Sequence, residues 1–231
     1  MNCMNKKAVI IFGISKVAEI VWSSMTEDRA CKWEPVAFTV DRAYMETDEK
    51  FGLPVVAFED LEKSYMPQEY RMIVAVGYHD MNKVRAQKCR EAEEKGYELI
   101  SYVHSKADIS GSVTVGKNTI ILNAASIGPF SNIGNDVCIF NNATISHHVT
   151  VEDHVWITSG SVVGGNSSVG DHCFLGINST VAHNVQIGSN NFIGTNAVIT
   201  KNTKKDSVYI VPDTPRYRLS TDQFIRLFRF D

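Results

Sequence analysis

One aliphatic side chain recurs at every sixth position over residues 103–199. An amphipathic helix repeats about every 3.6 residues and a strand about every 2, so neither alone gives a strict period of six. A solenoid of short strands joined by tight corners does, and three six-residue segments then close one coil. We expect successive coils to pair through backbone hydrogen bonds about 4.8 Å apart. The repeated positions are Val103, Ile109, Val115, Ile121, Ile127, Ile133, Ile139, Ile145, Val151, Ile157, Val163, Val169, Leu175, Val181, Ile187, Ile193 and Ile199.

Residues 1–102 lack this repeat and alternate short apolar runs with segments of helical pattern. The strand-like runs are Ala8–Phe12, Val36–Val40 and Met72–Val76, and Met81–Lys95 has a helical pattern. Strands that alternate with helices predict a small parallel sheet, so the N-terminal domain is expected to be α/β and Rossmann-like.

The carboxyl ends of these strands form a candidate substrate site, because ligands of open parallel sheets bind beyond that edge. The helix after Gly13 offers free N–H groups to a phosphate, although Gly13 alone is equally well explained by a tight turn. The segment FGISKVAE has one glycine where a dinucleotide site has three, so no nicotinamide cofactor is expected. The candidate substrate-binding residues here are Gly13, Ile14, Ser15, Asp41, Gly77 and Asn82.

The chain is expected to divide into residues 1–102, the solenoid of residues 103–204, and a C-terminal extension of residues 205–231. The extension ends in a short apolar segment for which Ser220 or Thr221 is the predicted helix cap. We expect this helix to cover the last coil, because a bare sheet edge invites aggregation.

Composition excludes several classes of protein. Lys plus Arg number 23 and Asp plus Glu 26, a net charge of −3, whereas nucleic-acid binders need an excess of cations. No apolar stretch approaches the roughly eighteen residues of a membrane span. The five cysteines are scattered, without a C-x-x-C pair, as is typical of reduced thiols. We therefore expect a cytoplasmic protein without a secretory signal, and neither nucleic acid nor membrane as a partner.

Several stretches together resemble one family of enzymes: VIIFG near the start, VAVGYHDMNKVR at 74–85, GYELISYVHSKADIS at 96–110, ISHHVTV at 145–151 and HCFLGINSTV at 172–181. They are similar to the hexapeptide-repeat sugar acyltransferases that include sialic acid O-acetyltransferases and bacillosamine N-acetyltransferases. The resemblance implies a left-handed parallel β-helix and a homotrimer with the thioester between neighbouring solenoids. It also implies acyl transfer from acetyl-CoA, as cosubstrate, to a sugar carried on a nucleotide diphosphate.

The resemblance assigns the catalytic role to His147. The family's catalytic histidine is third in a motif such as I-E-H-D, and the matching segment here is Ile145-Ser146-His147-His148. An attacking amine or hydroxyl must lose a proton, and imidazole titrates near neutral pH. The other interpretation of His147 is a polar residue at a solenoid corner. Because His148 replaces the acidic neighbour, Glu152 or Asp153 is a candidate to support the base, and His148 is assigned to substrate binding.

Coenzyme contacts follow from the same register. Gly165 lies eighteen residues after His147 and is expected to stack on it, where its N–H serves as an oxyanion donor. Gly164 and Gly165 are also explained as turns of the repeat. By resemblance, the coenzyme-binding positions are Gly164, Gly165, Ile177, His183 and Thr195.

The predicted function is transfer of an acetyl or other short acyl group to the amino group of a nucleotide-linked amino-deoxy sugar, for surface polysaccharide such as lipopolysaccharide O-antigen. Three alternatives stay open: O-acetylation of a sugar hydroxyl, a metal-dependent enzyme of the carbonic anhydrase type, and a non-catalytic scaffold trimer. The H-x4-H pattern of such metal enzymes is absent, so no metal is expected.

Overall fold

The N-terminal part is a sheet covered by helices on both faces. The computed structural model describes residues 6–228. Strand order is β3-β4-β2-β1-β5-β6, and all neighbours are parallel except the antiparallel pair β3 and β4. The elements are β1 (Lys7–Phe12), α1 (Lys16–Glu27), β2 (Trp33–Val40), β3 (Glu49–Lys50), β4 (Leu53–Ala57), β5 (Arg71–Val74), α2 (Lys83–Glu94) and β6 (Glu98–Leu99), with short 3₁₀ helices at Arg42–Tyr44 and Phe58–Lys63.

Strand β1 shows why both faces are covered. Its side chains alternate, so that Val9 and Ile11 pack on one side with α1 while Ile10 and Phe12 pack on the other with α2. An uninterrupted apolar strand of this kind is typical of a parallel sheet buried between helices. The chain crosses from one side of β1 to the other between β4 and β5, which leaves a crevice at the carboxyl end of β1.

Two-residue strands form the second part of the chain, and they stack into three parallel sheets as in a left-handed β-helix. Strands pair eighteen residues apart, as in Thr144 with Val162, except that Phe192 pairs with Val208, sixteen residues on. The coil predicted from the six-residue period is therefore confirmed. Sheet 1 consists of β7 (Tyr102–Val103), β10 (Ile120–Ile121), β13 (Cys138–Ile139), β16 (Trp156–Ile157), β19 (Phe174–Leu175), β22 (Phe192–Ile193) and β24 (Val208–Tyr209). Sheet 2 consists of β8 (Asp108–Ile109), β11 (Ser126–Ile127), β14 (Thr144–Ile145), β17 (Val162–Val163), β20 (Thr180–Val181) and β23 (Val198–Ile199). Sheet 3 consists of β9 (Thr114–Val115), β12 (Asn132–Ile133), β15 (Thr150–Val151), β18 (Ser168–Val169) and β21 (Gln186–Ile187).

The repeated aliphatic residues fill the interior of the β-helix, where Ile139, Ile145 and Val151 of one coil are almost fully buried. Between strands the chain turns through a residue in the left-handed conformation, such as His148 or Asn166. Asn, Asp and His adopt this conformation more readily than most residues, which explains their frequency at the corners.

The N-terminal sheet packs on the outer side of sheet 1. Apolar side chains of α1 belong to one buried cluster with Tyr102, Trp156 and Phe174, which lie outside the cluster that fills the coil interior. A fully buried Arg85 on α2 donates to Asp136 Oδ1 at 2.7 Å, and His154 Nδ1 lies 2.9 Å from the other oxygen. The two parts therefore share an apolar contact and a buried ion pair.

Asp136 is the charged centre of that contact. Burial alone would raise the pKa of its carboxyl, but the Arg85 guanidinium and hydrogen bonds from His154 and Asn118 outweigh burial and hold the pKa below its usual range. Loss of one partner leaves the other charge buried without compensation.

The C-terminal extension does not cover the last coil as expected. Helix α3 (Thr221–Phe228) begins after Ser220, whose Oγ accepts from the Gln223 N–H at 3.3 Å. Ile225 and Leu227 are 53% and 64% exposed, so these apolar residues are not buried against the last coil. Tyr209 of β24 instead packs against the last coil. No helix within residues 6–228 is long and apolar enough to cross a membrane.

We expect Asp136→Asn to lower the free energy of unfolding at pH 7 by about 3–5 kcal/mol, because Arg85 then has no buried counter-charge. A folded-state pKa below the unfolded value of about 3.9 means that the carboxylate stabilises the fold above that pH and loses this effect as pH falls. The difference between wild type and variant should therefore shrink in acid. Urea denaturation at several pH values measures this difference.

Lys63→Met, which removes an exposed ion pair with Asp60, is the control. Equal stability of the wild type and Asp136→Asn at pH 7 would contradict this account.

Candidate active site

His147 lies at the corner between sheets 2 and 3, directly after β14. This corner is opposite sheet 1, which carries the N-terminal sheet. The side chain is exposed, and the main-chain oxygen accepts a hydrogen bond from the Asn166 N–H at 3.1 Å. The corner therefore holds the backbone of His147 in place and leaves its imidazole accessible.

Gly165 lies against the imidazole of His147, one coil further along. A Cβ atom at Gly165 would lie 2.7 Å from both Cε1 and Nε2 of the ring, which is closer than real Cβ contacts allow. A glycine is therefore needed at this position to make room for the ring. The backbone conformation does not require a glycine, because Gly165 is not among the glycines with positive φ. Its N–H donates to no acceptor within residues 6–228, so this donor is free at the residue that the ring lies against.

The other side of the imidazole faces His148. The Nδ1 atoms of His147 and His148 are 3.1 Å apart, and no carboxylate within the described residues bonds to either ring. Neither acidic candidate reaches them: Glu152 accepts from the Asp171 N–H at 3.1 Å, and Asp153 accepts from the Asn135 N–H at 2.7 Å. The expected carboxylate support for the base is therefore replaced by a second imidazole.

The predicted coenzyme residues fall at two corners. Gly164 and His183 share the corner of His147. A Cβ at Gly164 would lie 2.6 Å from the main-chain nitrogen of His183, so the coils stack tightly there. Ile177 and Thr195 follow β19 and β22, at the corner between sheets 1 and 2. Sheet 2 separates the two groups, and its outward residues include the exposed Val162 and Val198.

A cavity of about 420 Å³ opens at the carboxyl ends of β1, β2 and β5, in the crevice predicted from the sequence. Gly13 closes its floor: φ is +119°, and a Cβ there would lie 2.8 Å from the Ala75 oxygen. Ser15 caps α1 without a side-chain hydrogen bond to the first turn. The cavity is lined by Phe12, Gly13, Ile14, Ser15, Val40, Asp41, Tyr44, Val76, Gly77, His79, Val84 and Lys88.

Lys88 is one of the cavity residues that sequence reasoning missed, and it carries a charge. Its Nζ donates to Asp41 at 2.8 Å and to Glu91 at 2.7 Å. Burial lowers the pKa of Lys88, but these two carboxylates outweigh it and raise the pKa above its usual range, so the ammonium stays charged. A lysine in a charged helix gives no sequence signal, because only the packing of α2 brings it beside β2.

Asn82 does not line the cavity, in contrast to the expectation. Its side chain is fully buried, with Nδ2 donating to the Cys173 oxygen at 3.3 Å and Oδ1 accepting from Arg85 at 3.1 Å. The Nδ2 group thus joins the N-terminal part to the β-helix, the Oδ1 atom holds Arg85, and the buried amide is not accessible to a substrate.

The cysteines offer no nucleophile within residues 6–228. All four described cysteines are buried and unpaired. Burial raises the pKa of Cys138 and Cys173 to about 12 each, so their thiols are protonated at neutral pH. The same residues contain no group of three or more His, Cys, Asp or Glu side chains arranged to hold a metal ion.

Comparison with known proteins agrees with this architecture. The family model described as bacterial transferase hexapeptide (six repeats) matches residues 166–201. A mutant perosamine N-acetyltransferase from Caulobacter crescentus, solved with CoA and GDP-perosamine, is 26% identical with a TM-score of 0.79 over 87% of this chain and 92% of that one. The predicted resemblance is confirmed. The prediction of an enzyme of the acyltransferase class is confirmed as well.

A second relative shows the same fold. The acetyltransferase domain of PglB from Neisseria gonorrhoeae FA1090 is 24% identical with a TM-score of 0.78, over 88% of this chain and 96% of that one. A further structure of that domain, in complex with acetyl coenzyme A, is 23% identical with a TM-score of 0.78, over 88% and 95% of the two chains. A search of curated protein sequences finds no match.

Gly165→Ala tests the contact between the ring and the glycine. The added methyl group would overlap the imidazole of His147 and displace it, so we expect turnover to fall by about a hundredfold while the fold is kept. Gly111→Ala is the control, because a Cβ at Gly111 meets nothing within 4 Å. Steady-state turnover and thermal unfolding of both variants measure the effect. Full turnover of Gly165→Ala would show that the position of this ring does not limit the reaction.

Proposed function

We propose that this chain transfers an acetyl or other short acyl group from acyl-CoA to the amino group of a nucleotide-linked amino-deoxy sugar, for the synthesis of a surface polysaccharide. One observation carries the proposal: the Nε2 edge of His147 lies against Gly165 at an accessible corner, and the N–H of Gly165 has no acceptor within residues 6–228. A proton acceptor and an oxyanion donor side by side are what attack on a thioester requires.

The reaction steps follow from these two groups. The amine attacks the thioester carbonyl, and the N–H of Gly165 stabilises the negative charge that forms on the carbonyl oxygen. His147 accepts the proton that the amine loses and returns it to the thiolate of CoA as the C–S bond breaks. The products are the amide and free CoA. No acyl-enzyme intermediate is needed, because the acceptor attacks the donor directly.

We propose that the N-terminal sheet is a Rossmann-like domain that binds the nucleotide sugar in the cavity at the end of β1. Free N–H groups at the start of α1 suit a phosphate, and the charged Lys88 adds a cation beside them. Gly13, Ser15 and Gly77 let the ligand approach the backbone closely. The similar perosamine N-acetyltransferase is described with GDP-perosamine and CoA, a nucleotide sugar and a coenzyme of the proposed classes.

The proposed coenzyme site runs from the corner of His147 and Gly165 across sheet 2 to Ile177 and Thr195. The exposed Val162 and Val198, on either side of Thr180, give this face apolar contacts for the pantetheine chain. The similar domain of PglB is described in complex with acetyl coenzyme A, which supports acetyl-CoA as the donor.

We propose a homotrimer in which two protomers complete each site. The N-terminal sheet covers sheet 1, and His147 occupies the corner on the far side of the coil. A nucleotide sugar held in the cavity of one protomer therefore meets the imidazole of a neighbour more directly than that of its own chain. The exposed Val162 and Val198 of sheet 2 are then covered between protomers.

Replacement of His147 tests the proposed base. With acetyl-CoA and a panel of nucleotide-linked amino sugars, we expect His147→Ala and His147→Asn to lower turnover by about a hundredfold or more. Affinity for CoA, measured by calorimetry, should stay within about twofold, since the ring acts on the proton. Thiol release and product mass measure turnover. Unchanged turnover would remove His147 from the mechanism, and acylation of hydroxyl but not amino analogues would make the chain an O-acetyltransferase.

Replacement of Lys88 tests the nucleotide-sugar cavity. Loss of a charged hydrogen-bond donor should raise the KM for the nucleotide sugar about tenfold in Lys88→Met and leave the KM for acetyl-CoA unchanged. Lys83→Met, on the same helix but outside the cavity, is the control. Equal KM values for the nucleotide sugar in the wild type and Lys88→Met would place the substrate elsewhere.

A further inference from the structure

His148 occupies the position at which the resembled enzymes carry an acidic residue, directly after the proposed base. Its Nδ1 lies 3.1 Å from Nδ1 of His147, and the two rings are nearly perpendicular, at 85°. At this distance one Nδ1 atom carries a proton and the other accepts it, since each neutral imidazole has one N–H and one lone pair. The direction of this hydrogen bond decides what His147 can do.

The direction follows from the other edge of the ring. Cε1 and Nε2 of His147 lie against Gly165, and Nδ1 faces His148. Nε2 is therefore the atom that meets the acceptor amine. It takes a proton only if the proton of the neutral ring is on Nδ1, so His147 must donate and His148 must accept.

No other group competes for this role within residues 6–228. No carboxylate, ammonium or guanidinium group there forms a hydrogen bond or an ion pair with either ring. The next titratable side chain in the column is His183, whose Nε2 lies 3.3 Å from the Asn184 amide. Glu152 and Asp153 face the following corner, where backbone N–H groups hold them.

The position of His148 is itself fixed. Its main-chain N–H donates to the main-chain oxygen of Pro129 at 3.0 Å, and its φ is +56°. Its ring packs against Phe130, with the ring centroids 4.9 Å apart. The same corner position one coil later is Asn166, also with positive φ. Histidine and asparagine both occupy this left-handed corner position, so the conformation does not depend on a histidine side chain.

We propose that His148 is a positioning residue that holds His147 as the Nδ1–H tautomer, an inference that rests on the proposed role of His147 as the base. After Nε2 takes the proton from the amine, the Nδ1–H of the imidazolium donates to His148 in a charge-assisted hydrogen bond. The proton on Nε2 then passes to the departing thiolate, and His148 gains and loses none.

The tautomer can be measured without any substrate. We would record the ¹⁵N chemical shifts of the His147 ring about two pH units above the imidazole range near 6.5, in wild type, His148→Ala, His148→Asn and His148→Asp. We expect a protonated Nδ1 and a bare Nε2 in wild type, Asn and Asp, because each places an acceptor at the same δ position. In His148→Ala the protonated nitrogen should shift toward Nε2. Ala124 adopts a φ of +59° at the equivalent point of another segment, so alanine fits this backbone.

Turnover separates this inference from the proposed function. We expect His148→Ala to lower kcat about tenfold with both KM values within about twofold, and His148→Asn and His148→Asp to restore most of it. A wild-type ring with its proton on Nε2, or a His148→Ala variant with full turnover beside an inactive His147→Ala, would overturn the role of His148 alone. Full turnover of His147→Ala would overturn the proposed base itself.

Discussion

The structure depends on backbone pairing between residues eighteen positions apart. Because each coil repeats this register, side chains at the same corner form columns, and the spacing within a column is fixed by the distance between parallel strands. Gly165 lies against His147 for this reason. Both residues lie at corners between paired strands, so the β-helix fixes the position of the Gly165 backbone relative to the His147 imidazole.

The second constraint is the way the N-terminal sheet is joined to sheet 1. Arg85 and Lys88 lie one turn apart on α2, so they project from neighbouring parts of the same helix. Arg85 is locked into the β-helix by Asp136, while Lys88 reaches Asp41 at the cavity. A short, buried ion pair thus sets where the cavity lies relative to the coils. The amide of Asn82, which bonds to both parts, reinforces the same contact.

The sequence was sufficient for features that repeat or follow from local periodicity. The six-residue spacing predicted the coils, and the resemblance of the motif at residues 145–148 predicted the corner that carries the proposed base. It could not give contacts made across the fold. Asn82 looked like a loop residue at a sheet edge, but packing turned its side chain into the interior. Lys88 looked like one surface charge of many, and only the orientation of α2 brings it to Asp41. The apolar residues of α3 predicted that the helix would be buried, but they carry no information about which surface covers them, and the structure leaves them exposed.

An imidazole in place of a carboxylate changes the charge balance at the proposed base. A carboxylate beside His147 would stabilise the imidazolium strongly, but it would also place a negative charge near the carbonyl oxygen and the thiolate, both of which gain negative charge during the reaction. An uncharged imidazole in that place would stabilise the imidazolium less and would repel neither. His148 still fills the proposed positioning role, because its Nδ1 accepts the Nδ1–H of His147 and leaves Nε2 of His147 free. An amine already partly deprotonated at working pH needs less help from the base than a hydroxyl does, so a neutral partner is better matched to an amino acceptor than to a hydroxyl one.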